Sequence, residues 1–107
     1  MQKEYRGRRT ADGVSVTVCG QPLNPRHDLY NHSPDGFNWG YGGSGPAQLA
    51  LAILADHLGN DDLALANYQA FKFAVIAGLE NDEWTLTSES VSNALQEIFN
   101  RDLAGPE

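Results

Sequence analysis

The sequence predicts an α+β domain: an N-terminal β-hairpin or small antiparallel sheet packed on three helices, with the first helix central. Two strand-like stretches come first, and three helix-like stretches follow with one short extended piece, Glu83–Leu86, among them. Segregated strands and helices indicate α+β, whereas alternating βα units would indicate a parallel sheet. Leu49–Ala55 leaves almost no polar side, and a helix apolar all round is buried on several sides. With 107 residues the chain makes a single domain, residues 1–107, with one modest core.

Lys3–Arg9 and Val14–Cys19 form the predicted hairpin. Val14, Val16 and Val18 alternate with Ser15, Thr17 and Cys19, the period of a half-buried strand, and Asp12-Gly13 supplies the turn. Period two puts Arg6 and Arg8 on one face and Tyr5, Gly7 and Arg9 on the other. Gln21–Asp35 reads as loop, because Pro22, Pro25 and Pro34 each restrict their own residue and the one before. Leu23, Leu29 and Tyr30 are the residues expected to pin it to the core. Phe37–Tyr41 reads as a short third strand.

The first helix is predicted from Pro46 to Leu58. Ser44 or Gly45 is the N-cap, Pro46 suits the first turn, and Gly59 suits the C-terminal stop. The second runs from Asp61 to Ala77. Asn60 or Asp61 caps it, Asp61 and Asp62 complement the dipole, and Gly78 ends it. Leu65, Tyr68, Phe71, Val75 and Leu79 recur at helical spacing. Thr87 or Ser88 caps a third helix to about Arg101, with Val91, Leu95, Ile98 and Phe99 facing inward. The tail from Leu103 is expected to be loose.

Hydrophobic content of 41% fits a folded globular chain, and a net charge of −7 argues against general nucleic-acid binding. Charge is uneven: residues 1–26 net +3 and residues 27–107 net −10. Such asymmetry describes either a solvated acidic helical layer or a basic strand placed to receive an anion. Cys19 is the only cysteine, so no internal disulfide forms, and MQKEYRGRR lacks the apolar segment of a secretory signal. The longest apolar stretch, Ala47–Leu54, is too short to span a membrane and contains Gln48. The expectation is a cytoplasmic protein with no membrane segment.

Gly36–Leu54, GFNWGYGGSGPAQLALAIL, is the candidate functional stretch. Five of the 11 glycines lie between Gly36 and Gly45, and a helix begins just after them. Glycine-rich turns feeding a helix N-terminus present free amides to anions. The run fails the P-loop pattern, since Pro46 stands where lysine is needed after Gly45, and Gly40, Gly42 and Gly45 miss the dinucleotide spacing. What survives is a generic anion site at Gly43, Ser44 and Gly45; the competing reading is a tight structural turn. Ser44 lacks the G-x-S-x-G context and an evident base, so no catalytic residue is assigned. Cys19, His27 and His32 are too loosely spaced for a zinc site, and no metal or cofactor is expected.

Trp39 and Tyr41 share a side if extended, where they stack a nucleobase or pack as core. Gln48, one turn into an apolar helix, must find hydrogen-bond partners, in the glycine loop or in a ligand. Arg6 or Arg8 is expected to approach the glycine loop, because a guanidinium fork suits phosphate.

The motif GFNWGYGGSGPAQLALAIL, the HSP at His32–Pro34 before it, YRGRR from Tyr5 and YQAFK from Tyr68 to Lys72 resemble an uncharacterised small-domain family of bacteria, archaea and phages. The resemblance implies a stand-alone domain of about this length and carries over no catalytic residue. Its phage members imply a counter-defence role. The expected function is a non-enzymatic binding module for an anionic, nucleotide-like ligand, through Arg6, Arg8, Trp39, Tyr41, Gly43, Ser44, Gly45 and Gln48. The alternative is an acidic inhibitor or adaptor of a host protein. The apolar first helix is expected to be buried within the monomer or in a homodimer.

Overall fold

The computed structural model describes the backbone of residues 2–104 and the side chains of residues 2–100. Strands β1 (Glu4–Thr10) and β2 (Gly13–Val18) form the predicted hairpin, in register from Tyr5↔Val18 to Thr10↔Gly13, but its turn is Ala11-Asp12 and not Asp12-Gly13, because Gly13 already pairs with Thr10. Cys19 and Gly20, at φ of 49° and 82°, then turn the chain into a two-residue strand β3 (Gln21–Pro22) paired with the end of β2. Two central residues at positive φ match the primed turns that suit strand twist. Pro22 is tolerated there because β3 lies at the sheet edge. Strand β4 (Glu83–Thr87) pairs antiparallel with β1 on its other side, giving the order β3-β2-β1-β4.

The strand expected at Phe37–Tyr41 does not form. Gly40 takes φ of +87°, which breaks an extended run, and its amide donates to Ile76 O at 3.0 Å instead of to a strand. Trp39 goes into the core, 1% exposed, and its indole N–H donates to Asn81 O at 2.8 Å.

The inner sheet face carries Tyr5, Gly7, Val16 and Trp84. Trp84 lies across Gly7: a Cβ there would meet the indole ring at 2.2 Å. Trp84 in turn meets Trp39 edge-to-face, centroids 5.5 Å apart. The outer face is polar. Arg6, Arg8, Ser15, Thr17 and Thr85 line a shallow depression of about 580 Å³ there.

Helix α1 (Ser44–Leu58) starts two residues earlier than predicted. Its N-cap is Gly43, not Ser44 or Gly45, and no side chain caps it; Gly59 at φ of 62° closes it as expected. Every residue from Gly45 to Ala55 is buried. The cover comes from this chain: α2 (Asp61–Ala74) packs along it, Tyr5 and Lys3 of the β1 end reach Asp56, and Ser92 of α3 (Ser88–Ala104) meets His57. Leu51 and Leu54 are fully buried, so the helix's apolarity no longer argues for a homodimer.

Asn60 caps α2, its side-chain oxygen accepting from Leu63 N at 3.1 Å. The helix stops at Ala74 rather than Ala77, because Val75 leaves helical geometry and a 3-10 turn, Ile76–Gly78, takes over. Thr87 caps α3 reciprocally with Ser90: Ser90 N donates to Thr87 Oγ1, and Thr87 N donates to Ser90 Oγ. Val91, Leu95 and Ile98 are buried as predicted, but Phe99 is 38% exposed because it lies one residue round from that stripe. Leu65 and Tyr30 are likewise exposed, not inward. The loose tail was expected from Leu103; Leu103 and Ala104 continue α3, and the rest lies outside the described residues.

Candidate functional site

Helices α1 and α2 follow one another across the short Gly59-Asn60 link, so they pair as an antiparallel hairpin. The last turn of α2 therefore returns to the first turn of α1. That open end of the hairpin also receives the loop around His32 and the glycine run.

Gln48 organises the loop. Its Oε1 accepts from the amides of His32 (2.7 Å) and Ser33 (3.1 Å), and its Nε2 donates to the carbonyls of Pro25 (2.6 Å) and Tyr30 (3.0 Å). This fully buried amide is saturated by backbone, so it clamps residues 25–33 onto α1 and satisfies neither the glycine loop nor a ligand. The clamp presents His32, whose ring stacks on Tyr30 at 4.2 Å and whose Nε2 lies 2.6 Å from the Tyr68 hydroxyl. Burial, and then the nearby Lys72 charge, hold the His32 imidazole below its ordinary value.

Lys72 is the distinctive residue. It is 6% exposed, and its Nζ donates to Gly42 O at 3.3 Å. The Phe73 ring lies over the ammonium at 4.1 Å, while Phe73 itself is 67% exposed. The other lysines and arginines with described side chains each meet a carboxylate: Lys3 with Asp56, Arg6 with Glu4, Arg8 with Glu83, Arg9 with Asp82, Arg26 with Asp28 and Asp61. Lys72 meets none among the described residues. A buried cation without a counter-ion is costly, and natural chains pair it.

Next to Lys72 stands the start of α1. No described residue accepts from the Gly43, Ser44 or Gly45 amides, and Gly45 is buried. The Tyr41 ring covers Gly43 and its hydroxyl lies beside Gly45; a Cβ at either glycine would collide, at 2.5 Å with Tyr41 and at 2.8 Å with Asn38. Glycine is required at Gly45, where the contact includes the Asn38 backbone, whereas a side chain at Gly43 would have to displace the exposed Tyr41 ring.

Of the residues named from sequence, Tyr41, Gly43, Ser44 and Gly45 come together here. Gln48 stands behind them as the clamp, and Trp39 is core, so Trp39 and Tyr41 do not form one stacking platform. Arg6 and Arg8 do not approach the glycine loop; they lie on the outer sheet face with Glu4 and Glu83. The arginine that does reach it is Arg9, on the inner face, donating to Asn38 Oδ1 at 2.6 Å and Trp39 O at 3.3 Å. Lys72, Phe73, His32 and Tyr68 were not named as site residues. The signal for His32, Tyr68 and Lys72 lies in HSP and YQAFK, which meet the glycine run in space, and Phe73 directly follows the second motif.

A second polar cluster lies at the other end of α1. Asp56 accepts from Tyr5 (2.7 Å) and Lys3 (3.1 Å), and His57 Nε2 is 3.1 Å from Ser92 Oγ. Burial and then Asp56 push the Tyr5 hydroxyl up, while burial and then Lys3 hold His57 down. Among the described residues no three His, Cys, Asp or Glu side chains gather to hold a metal. No described helix is long and apolar enough to cross a membrane.

The fold and this hairpin end define a small α+β domain with a buried lysine beside a glycine-rich helix start. The model of a family of unknown function, DUF6166, matches residues 5–97, and the chain belongs to that family. No curated protein and no solved structure matches it.

Proposed function

We propose that this protein is a non-enzymatic binding module for a small anionic, nucleotide-like ligand, held at the open end of the α1–α2 hairpin. The observation that carries the reading is Lys72, a buried ammonium with one neutral acceptor in a chain of net charge −7. An anion there gains a charge-assisted bond and the unclaimed amides of Ser44 and Gly45. Sequestration of a defence signal by a phage protein is the biological role that fits such a module. The second reading, an acidic inhibitor or adaptor, is favoured by the charge of residues 27–107, which net −10.

Calorimetric titration with inorganic phosphate and nucleotides tests the reading. Lys72→Met should weaken binding at least tenfold, corresponding to about 1.4 kcal/mol, and Arg8→Ala should not. Ser44→Pro removes one amide at a helix position that accepts proline, after an extended Gly43, so it should weaken binding without loss of stability. If no phosphorylated compound binds, the inhibitor reading takes precedence.

A further inference from the structure

Toward the other end of α1 from the glycine run, a half-enclosed cavity of about 270 Å³ lies between the helix and the loop that follows β3. Ala52, Ala55 and Asp56 line it from α1, at the i, i+3 and i+4 spacing of one helix face. Leu23, Asn24 and Arg26 line it from the loop. Leu23, Ala52 and Ala55 are buried, so this part of the lining is apolar, and the two alanines leave space that larger side chains would fill.

The loop wall is held in place. Arg26 takes φ of 57°, a left-handed conformation that persists only where the surroundings fix it. Its amide donates to Asn24 Oδ1 at 2.9 Å. Its guanidinium donates to Asp28 through Nε (3.0 Å) and Nη2 (3.1 Å), and to Asp61 through Nη2 (3.0 Å).

Charge decides what such a cavity takes. Arg26 already meets two carboxylates, so Asp28 and Asp61 oppose a third anion there. Asp56 meets Lys3 and the Tyr5 hydroxyl, but both donate to its Oδ2, and Oδ1 has no partner among the described residues. Around the cavity the cations Lys3 and Arg26 face three carboxylates, Asp28, Asp56 and Asp61. Asp56 also stands in the last turn of α1, where the helix dipole favours positive charge. Each of these features selects a cation. Pockets for drug-sized ligands begin at roughly 300 Å³, so this one holds a small molecule.

We propose that this cavity binds a small aliphatic primary amine, its ammonium donating to Asp56 Oδ1 and its hydrocarbon part lying on Leu23, Ala52 and Ala55. Asp56 sets the charge of the ligand, and the two alanines set its size. The site is separate from the Lys72 end of the hairpin, and neither stands on the other.

Three probes with one five-carbon body test this on the full ¹⁵N-labelled chain by NMR: 3-methylbutylamine, 3-methylbutan-1-ol and 3-methylbutanoate. The amine should give saturable shifts centred on Leu23, Asn24, Arg26, Ala52, Ala55 and Asp56. The alcohol should bind at least roughly tenfold more weakly, since it lacks the charge-assisted bond, and the carboxylate should not bind. Asp56→Asn should weaken the amine by a similar factor, and Ala55→Leu, which projects into the cavity, should abolish its binding. Alcohol or carboxylate binding as tightly as the amine overturns the assignment of a cation. Amine binding unchanged in a folded Asp56→Asn or Ala55→Leu variant overturns the assigned site. If neither variant folds, the wild-type comparison of amine and alcohol still decides. Amine shifts centred elsewhere, or none, overturn the proposal.

Discussion

At the residue scale, Gln48 shows how one polar group in an apolar helix can order a proline-rich loop. Its four hydrogen bonds all end on backbone atoms of Pro25, Tyr30, His32 and Ser33. Gln48→Ala leaves several of those groups unpaired, and urea denaturation should show a loss on the order of 3 kcal/mol. Gln48→Glu keeps the two acceptor contacts but sets a carboxylate against two carbonyls, so it should not rescue. The need for partners was legible in the sequence; their location was not, because nothing local says which loop folds over a helix. His32 gives a pH dependence from the same clamp. Burial and Lys72 hold its folded value below the ordinary one, so between that value and about 6.5 the unfolded chain binds more protons. Its contribution is complete above about pH 6.5 and declines as pH falls through that window. His57 has the same sign. Melting temperature should therefore fall from pH 7.5 to 5.5, with a shallower slope in His32→Asn.

At the element scale, β1 shows why a strand tolerates glycine. Gly7 pairs with Trp84 and Val16, and the indole occupies the space a Cβ would take. Cross-strand aromatic cover of a glycine is a recurrent packing device. Gly7→Ala should cost roughly 1–3 kcal/mol by overpacking. In a Trp84→Val background the same change should cost much less, and a double-mutant cycle by thermal denaturation measures the coupling. The hairpin and all three helices were legible, since periodicity, Asn60 and Gly59 are local signals, although the turn falls one residue before Asp12-Gly13. The sheet's outer strands were less so. Glu83–Leu86 read as extended, but its pairing with β1 joins residues some 80 positions apart. Phe37–Tyr41 misled because aromatics among glycines mimic strand alternation, while Gly40 takes a backbone conformation that ends it.

At the scale of the whole molecule, sheet and helices serve one purpose at the hairpin end: they bring His32, Gly42–Gly45 and Lys72 together from three separate stretches. The sequence marked the glycine run and misassigned its cation. Period two correctly separated Arg6 and Arg8 from Arg9, but only the packed sheet shows which face meets the loop, and it is the Arg9 face. Lys72 was hidden by its place in an ordinary amphipathic helix, where a lysine reads as solvent-facing; its burial comes from the return of α2 onto the start of α1. In the proposed function an anion docks on Lys72 beside the first amides of α1. Titration of the ¹⁵N-labelled protein with AMP and with inorganic phosphate, followed residue by residue by NMR, tests that docking. Saturable shifts are expected at Gly42–Gly45, His32, Lys72 and Phe73. Shifts centred on Arg6, Arg8, Ser15 and Thr17 of the outer sheet face, or none at all, would contradict it.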